Sequence, residues 1–182
     1  MRGQYDRAVA ESVIVRPRLP SDMDACVSLL RQLHEHDSYP LAWPADPRAW
    51  LRGNRQVKAW VAVREETMCG HVALTSPRSG AAATRAWEKS LHVPGASLLS
   101  ISLLFVAPQA RGHGIGGRLL DTALAAARAQ GAAPVLEVIT LNRQAIALYQ
   151  ARGWRRIGSV RYDWLPQTEQ SLLFVAPPAG PS

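Results

Sequence analysis

Residues 106–120 read VAPQARGHGIGGRLL. An apolar run ends, a proline follows, and four glycines, Gly112, Gly114, Gly116 and Gly117, fall just before a leucine pair. Glycine gives up more freedom on folding than any other residue, so such a cluster needs a backbone reason: a positive φ, or a ligand brought close to the main chain. The spacing satisfies three nucleotide- or cofactor-binding patterns, and the flanking residues choose among them.

GHGIGG at 112–117 satisfies GxGxxG, and Glu137 lies twenty residues beyond Gly117, near where a dinucleotide-binding βαβ unit places its ribose acid. That turn needs its first glycine directly after the strand, whereas Ala107–Arg111 intervene here with a proline. Glu137 also sits within a strand pattern, and too little chain follows to complete a six-stranded dinucleotide fold. Gly112 and Gly117 equally fit GxxxxGK[ST]. Arg118 and Leu119 then stand where the phosphate-binding lysine and the magnesium-binding hydroxyl belong, so that chemistry is missing. The third pattern is RxxGxG, carried by Arg111, Gly114 and Gly116 after a run ending Leu104-Phe105-Val106 and after Pro108.

Working outward from the loop, LLSISLLFV at 98–106 is continuously apolar but for two serines, the pattern of a strand in a buried sheet. Past it, Gly116, Leu119, Leu120, Ala123, Leu124 and Ala127 trace one face of a helix that stops at Gly131. PVLEVIT predicts the next strand and NRQAIALYQARGW another helix; RRIGSVRYDWL and QSLLFVA predict two final antiparallel strands. Upstream, Ser12–Arg18 predicts a first strand. DMDACVSLLRQLHEHD predicts an amphipathic helix with Cys26, Leu29, Leu30 and Leu33 inward, and a short second helix starts at Asp46 with Gly53 after it. Residues 58–64 and 69–75 alternate and read as a hairpin joined by EETM. From Ser76 to Ser97 the pattern weakens, and so long a connection predicts a functional or mobile loop.

A chain of 182 residues suits one domain, expected over 1–176, with a flexible low-complexity tail (PPAGPS) at 177–182. Lys+Arg 21 against Asp+Glu 14 gives +7, and Lys58 and Lys89 are the only lysines. An arginine surplus suits phosphate or carboxylate partners. The basic residues are scattered, so a solvated surface accounts for them better than a nucleic-acid face, and no nucleic-acid partner is expected. Cys26 and Cys69 have no metal-ligand spacing and read as buried thiols. The first fifteen residues lack an apolar signal region, and the run at 98–107 is too short for a bilayer. A soluble cytoplasmic protein with no membrane partner and no metal is the expectation.

Leu104–Gly116 resembles the LxVxPxxRGxGIG signature of the GCN5-related N-acetyltransferase (GNAT) family, and residues 142–154 resemble its second motif, N..AI.LY...GF, with Trp154 in place of phenylalanine. The resemblance spans roughly Val57–Trp154. It implies an α/β fold, a mixed and mostly antiparallel twisted sheet of about 6–7 strands with about four helices. It also implies acetyl-CoA as cofactor, a primary amine of a small molecule or a protein N-terminus as acceptor, and transfer by direct attack in a ternary complex. Final strands of this kind pair across dimers in the family, which leaves a homodimer open. The alternative is a non-catalytic acyl-CoA-binding regulatory module.

Residue by residue, the resemblance puts the coenzyme A pyrophosphate on the main chain of Arg111, Gly112, His113, Gly114, Ile115, Gly116 and Gly117, at the positive end of a helix. Leu104, Phe105 and Val106 would pair with the pantetheine arm, the Val106 N–H facing the thioester oxygen. Tyr149 corresponds to the family's acid for the departing sulfur, and Asn142 caps its helix and touches the cofactor. Many relatives carry a glutamate about where Ser100 stands here. Glu137 is the substitute, because its position in LEV, five residues before Asn142 and twelve before Tyr149, matches the base of the branch that acetylates protein amino termini; a structural ion pair accounts for it equally well.

The remaining polar and aromatic residues have plainer readings. His34 and His36 sit on different faces of a helix and read as solvated, while His71, beside Gly70 at a position that resembles one often held by histidine in the family, reads as core or as a group behind the site. His92 reads as surface, and His113 matters for its main chain. Trp60 and Trp154 read as core. Trp43, Trp50 and Trp87 lie in connections that either frame an acceptor pocket or pack beneath a loop.

Overall fold

The computed structural model describes residues 13–179. Its strands are β1 (Ile14–Pro17), β2 (Gln56–Arg64), β3 (Thr67–Thr75), β4 (Leu98–Val106), β5 (Ala133–Ile139), β6 (Arg155–Val160) and β7 (Ser171–Val175). They form one mostly antiparallel open sheet of seven strands in the order β1-β2-β3-β4-β5-β7-β6. The helices are α1 (Met23–Asp37), α2 (Pro47–Arg52), α3 (Ala82–Leu91), α4 (Ile115–Ala129) and α5 (Arg143–Ala151). Two compact units result: residues 13–73 with Leu103–Ala123, and Leu74–Ser102 with residues 124–179.

In the first unit β1 pairs antiparallel with β2, Ile14 opposite Val63 and Pro17 opposite Trp60. Helix α1 buries Met23, Cys26, Leu29, Leu30 and Leu33, the apolar stripe visible in its sequence plus one turn before it. Asp46 caps α2 by accepting from the Ala49 N–H at 2.9 Å. The β2–β3 connection is tighter than the EETM turn expected: only Glu65 and Glu66 lie outside the strands, at φ 48° and 66°. That is the two-residue hairpin geometry in which both residues are left-handed. A Cβ on Gly70 would lie 2.8 Å from Leu119 Cδ1 and 3.2 Å from the Phe105 carbonyl oxygen, so the start of α4 packs directly on the β3 backbone.

In the second unit β4 and β5 run parallel, Leu98–Ile101 against Ala133–Leu136. Strand β7 pairs antiparallel with β5 and with β6, the latter through a bulge between Arg156 and Gly158. Successive side chains on a strand face opposite ways. Val135, Leu173 and Val175 accordingly join Leu98 in one cluster with Ala83 and Trp87 of α3. Leu136 and Phe174, paired in register, take the other face, where the Tyr149 ring of α5 lies 6.0 Å from Phe174.

Helix α3 occupies the Ser76–Ser97 connection, where the sequence pattern marks no helix. A ten-residue helix is marginal alone, so its stability comes from Ala83, Thr84 and Trp87 buried on one side. Glu88 pins the chain beyond α3 by accepting from the Gly95 N–H at 2.8 Å. Of the tail expected from residue 177, 180–182 lie outside the described residues, and the Pro177 carbonyl accepts from Arg128 Nη2 at 2.5 Å.

Trp87 is 3% exposed and joins α3 to three strands. Trp87→Ala should cost about 3–5 kcal/mol of stability, the usual range for emptying a buried aromatic site, read as a lower urea midpoint. A midpoint shift below a quarter of that would show that α3 is not part of the cooperative core.

Candidate functional site

Strand β4 leads into the glycine loop. Phe105 is buried while Leu104 and Val106 are half-buried on the alternate side. A single 3-10 turn, Pro108–Ala110, follows, and then Gly112 and Gly114 take φ +80° and +74° before α4 opens at buried Ile115. A Cβ on either glycine would meet nothing within 4 Å. Conformation, not crowding, demands glycine here, and the loop leads directly into the first turn of α4, the positive end of that helix. Such a loop fits a phosphate.

The Arg111 side chain serves another purpose. Its Nε donates to the Val106 carbonyl at 3.3 Å, and its Nη atoms pair with both Asp37 oxygens at the end of α1. His36 Nδ1 also lies 2.7 Å from Asp37 Oδ1. The hydrogen bonds from Arg111 and His36, with Arg111 the larger, hold the Asp37 carboxyl below its ordinary range against a partial cost of burial. His113 is exposed, its Nδ1 2.8 Å from the Arg111 carbonyl.

Within β4, Leu103 has φ 52°. A left-handed leucine inside a strand is a strained backbone that its surroundings must hold. The Leu103 carbonyl lies 2.9 Å from Nδ1 of His71 on β3. His71 is fully buried; its ring stacks on Phe105 at 5.0 Å and 16°, and its Nε2 lies 3.0 Å from Arg18 Nη1. Arg18 also donates to the Leu51 carbonyl at 3.2 Å and to Gln56 Oε1 at 2.7 Å. An arginine only donates, so Nε2 accepts and Nδ1–H donates to Leu103. Burial first, with the nearby Arg18 charge, pushes the His71 pKa down to about 4, against the Leu103 hydrogen bond that raises it. The ring is neutral.

In the second unit, Glu137 shares the α3-side face of β5 with Val135, by strand alternation. Its Oε2 accepts from the Tyr162 hydroxyl at 2.9 Å and from Ser171 Oγ at 3.3 Å. Burial, then the Glu137 carboxylate, raises the Tyr162 pKa well above its ordinary value, so this hydroxyl stays protonated and donates. Trp164 stacks on Tyr162 at 5.6 Å and 18° while 64% exposed. Tyr149 lies on the opposite face, 5% exposed, with Phe174 and Trp154 around its ring. Asn142 caps α5, Oδ1 accepting from the Ala145 N–H at 3.2 Å.

Sequence patterns single out neither Asp37, Leu103 nor Tyr162. The first two have no local signal; Tyr162 lies in RYDW, read as part of the strand, but β6 stops at Val160 and Tyr162 stands just beyond it. Trp60 and Trp154 are core, as read. Trp87 packs in the α3 core, while Trp43 and Trp50 are half-buried, Trp43 beside His34 at 5.5 Å and Trp50 beside Tyr39 at 6.3 Å. His92 is exposed, and buried Ser100 occupies β4. Both cysteines are buried free thiols. Among the described residues no group of three or more His, Cys, Asp or Glu is placed to hold a metal, and no helix is long and apolar enough to cross a membrane.

A model of the acetyltransferase (GNAT) family matches residues 23–154. An uncharacterized protein of Mycobacterium leprae (strain TN) is 32% identical over 149 residues, 81% of this chain, which spans only 36% of that protein's length. Among solved structures, Arabidopsis thaliana NAA60 in complex with a bisubstrate analogue is 24% identical with TM-score 0.69, over 90% of this chain and 97% of that one. The Escherichia coli ribosomal-protein-S18-alanine N-acetyltransferase is 18% identical with TM-score 0.66, over 93% and 97%. An N-acetyltransferase of Staphylococcus aureus Mu50 is 19% identical with TM-score 0.68, over 91% and 97%. At these identities the likeness to solved structures is one of fold.

The histidine makes stability depend on pH. The folded chain keeps His71 neutral down to about pH 4, whereas an unfolded histidine takes its proton near pH 6.5. Stability is therefore fully present above about pH 6.5 and falls, by on the order of 3 kcal/mol, as pH drops toward 4. Urea unfolding between pH 7.5 and 4.5 should show this loss in the parent chain and little of it in His71→Asn. An equal loss in both would contradict the assignment.

Proposed function

The chain belongs to the acetyltransferase (GNAT) family, and from that premise we propose that it transfers the acetyl group of acetyl-CoA to a primary amine, of a small molecule or of a protein N-terminus, by direct attack. The observation that supports catalysis is that Glu137 stands on one face of the β5–β7 layer while the ring of Tyr149, carried by α5, lies against the other. An acyl transfer needs a base at the nucleophile and an acid at the leaving group, each on its own side of the reacting carbon.

Acetyl-CoA, when bound, supplies the acetyl group already activated as a thioester. The loop Arg111–Gly117 holds the pyrophosphate by main-chain N–H groups at the start of α4. The Arg111 guanidinium is engaged by Asp37, so it stiffens the loop. The main chain of Leu104–Val106 takes the pantetheine arm, and the Val106 N–H steadies negative charge on the thioester oxygen. Glu137 accepts a proton from the amine, directly or through water. Both of its hydrogen bonds fall on Oε2, which leaves Oε1 for that proton. The Tyr149 hydroxyl gives a proton to the sulfur as the C–S bond breaks, and Asn142 holds the helix that presents it.

The purified protein should release free thiol from acetyl-CoA with at least one member of a panel of small amines and peptides. Tyr149→Phe and Glu137→Gln should each lower kcat by about 100-fold, the usual yield of one general acid or base. Thiol release unchanged in both variants would remove these residues from the chemistry. Binding of acetyl-CoA without thiol release on any amine would instead favour the non-catalytic acyl-CoA-binding module. Asp37→Asn, which frees Arg111, should raise the KM for acetyl-CoA by about fivefold with little change in kcat, the pattern of lost uniform binding; an unchanged KM would separate the ion pair from the loop's function.

A further inference from the structure

The acyl-transfer reading assigns work to the main chain of Leu104–Val106 but leaves open what holds that main chain in shape. Leu103, the residue immediately before it, is left-handed at φ 52°. Left-handed backbone is unfavourable for a leucine, and a strained conformation at a functional position persists only when its neighbours over-determine it. A regular strand through Leu103 would turn the carbonyls and N–H groups that follow to other directions, because each residue's orientation is inherited from the one before.

One side chain grips this point. His71 Nδ1 lies 2.9 Å from the Leu103 carbonyl. The ring has no freedom to do otherwise: Phe105 stacks on its face at 5.0 Å, and Arg18 Nη1 sits 3.0 Å from its other nitrogen. Arg18 is itself tied to the Leu51 carbonyl and to Gln56 Oε1, at 3.2 and 2.7 Å. A guanidinium can only donate, so this chain of contacts selects the tautomer with the proton on Nδ1. The proton therefore faces Leu103. A protonated ring would turn a second N–H toward Arg18, and the low pKa of about 4 keeps that state away at neutral pH.

We propose that His71 is a positioning residue for acyl transfer: its Nδ1–H, oriented by Arg18, holds the Leu103 carbonyl and thereby the kink that aims the Leu104–Val106 main chain at the acetyl thioester. The inference rests on the acyl-transfer reading. It assigns His71 no contact with substrate and no proton to move.

Two isosteric variants separate the two nitrogens of the ring. Asparagine places its amide where Nδ1 stands and keeps a donor for Leu103; glutamine reaches the Nε2 position and keeps a partner for Arg18. In steady-state thiol-release assays on the full chain, His71→Gln should lose roughly 100-fold in kcat, the scale of a misplaced reacting geometry. Its KM for acetyl-CoA should move by less than about threefold, since uniform binding is untouched. His71→Asn should stay within about fivefold of the parent in kcat, because the bond that matters is retained. Amide hydrogen exchange at Leu104, Phe105 and Val106 should quicken in His71→Gln and not in His71→Asn.

Equal kcat in both variants, or a loss in His71→Asn matching that in His71→Gln, would overturn the proposal and leave His71 as packing. If His71→Gln does not fold, His71→Asn alone decides: kcat within about fivefold upholds the retained bond, and a loss beyond about 30-fold overturns it. Absence of turnover in the parent chain would sink the acyl-transfer reading instead. The exchange measurement would still judge whether His71 holds the strand, and unchanged exchange in both variants would overturn that.

Discussion

A neutral imidazole wedged between a guanidinium and a strained carbonyl is the contact on which the first unit turns. Leu103 holds a left-handed conformation, and the partner of its carbonyl is His71. His71 is in turn held by Arg18, which draws together the Leu51 carbonyl and Gln56. Burial keeps the ring uncharged, so the arrangement works only because the histidine gives up its usual role as a titrating group near neutrality. Just downstream, Arg111 ties the Val106 carbonyl to Asp37 at the end of α1. The segment from Leu103 to Arg111 is thus clasped at both ends by polar contacts, and the glycine loop starts from a fixed base.

The second unit solves a different problem with strand alternation. Glu137 is the exposed residue of an otherwise largely buried strand. Its carboxylate accepts from Tyr162 and Ser171, on the face that α3 partly covers. One register position over, Phe174 turns the other way and receives the ring of Tyr149. Two titratable side chains twelve residues apart in sequence are so kept on separate surfaces of one thin layer. Helix α3 is what makes the Glu137 face a buried face for most of its length, with Trp87 as its anchor.

Local chemistry made much of this legible. The capped starts at Asp46 and Asn142, the apolar stripe of α1 and the continuous run of β4 each report a short-range requirement that any fold must meet. RxxGxG and the Asn142–Tyr149 motif carried the family, because glycines before a helix and an asparagine at its cap are written in consecutive positions. Helix α3 is hidden for the opposite reason: its stability lies in burial against β5 and β7, far downstream. Its own ten residues carry only Trp87 and Leu91 as large apolar side chains, too few to establish a period. The two-residue turn at Glu65 and Glu66 is likewise unreadable, since glutamates are not what a left-handed pair ordinarily uses.

By itself, then, the sequence determined the succession of strands along the chain and most of the helices, the glycine loop at the head of α4, and the family, all of which rest on spacing and on the intrinsic geometry of each residue. Tertiary structure decided the rest: which tautomer His71 adopts, that Arg111 meets Asp37 across 74 residues of chain, that a leucine bends β4, and that Tyr162 is the donor to Glu137. Each of these depends on groups that the sequence keeps apart and that only the folded backbone brings to hydrogen-bonding distance. Burial and mutual orientation exist only once the chain has folded, and no spacing along the chain encodes them.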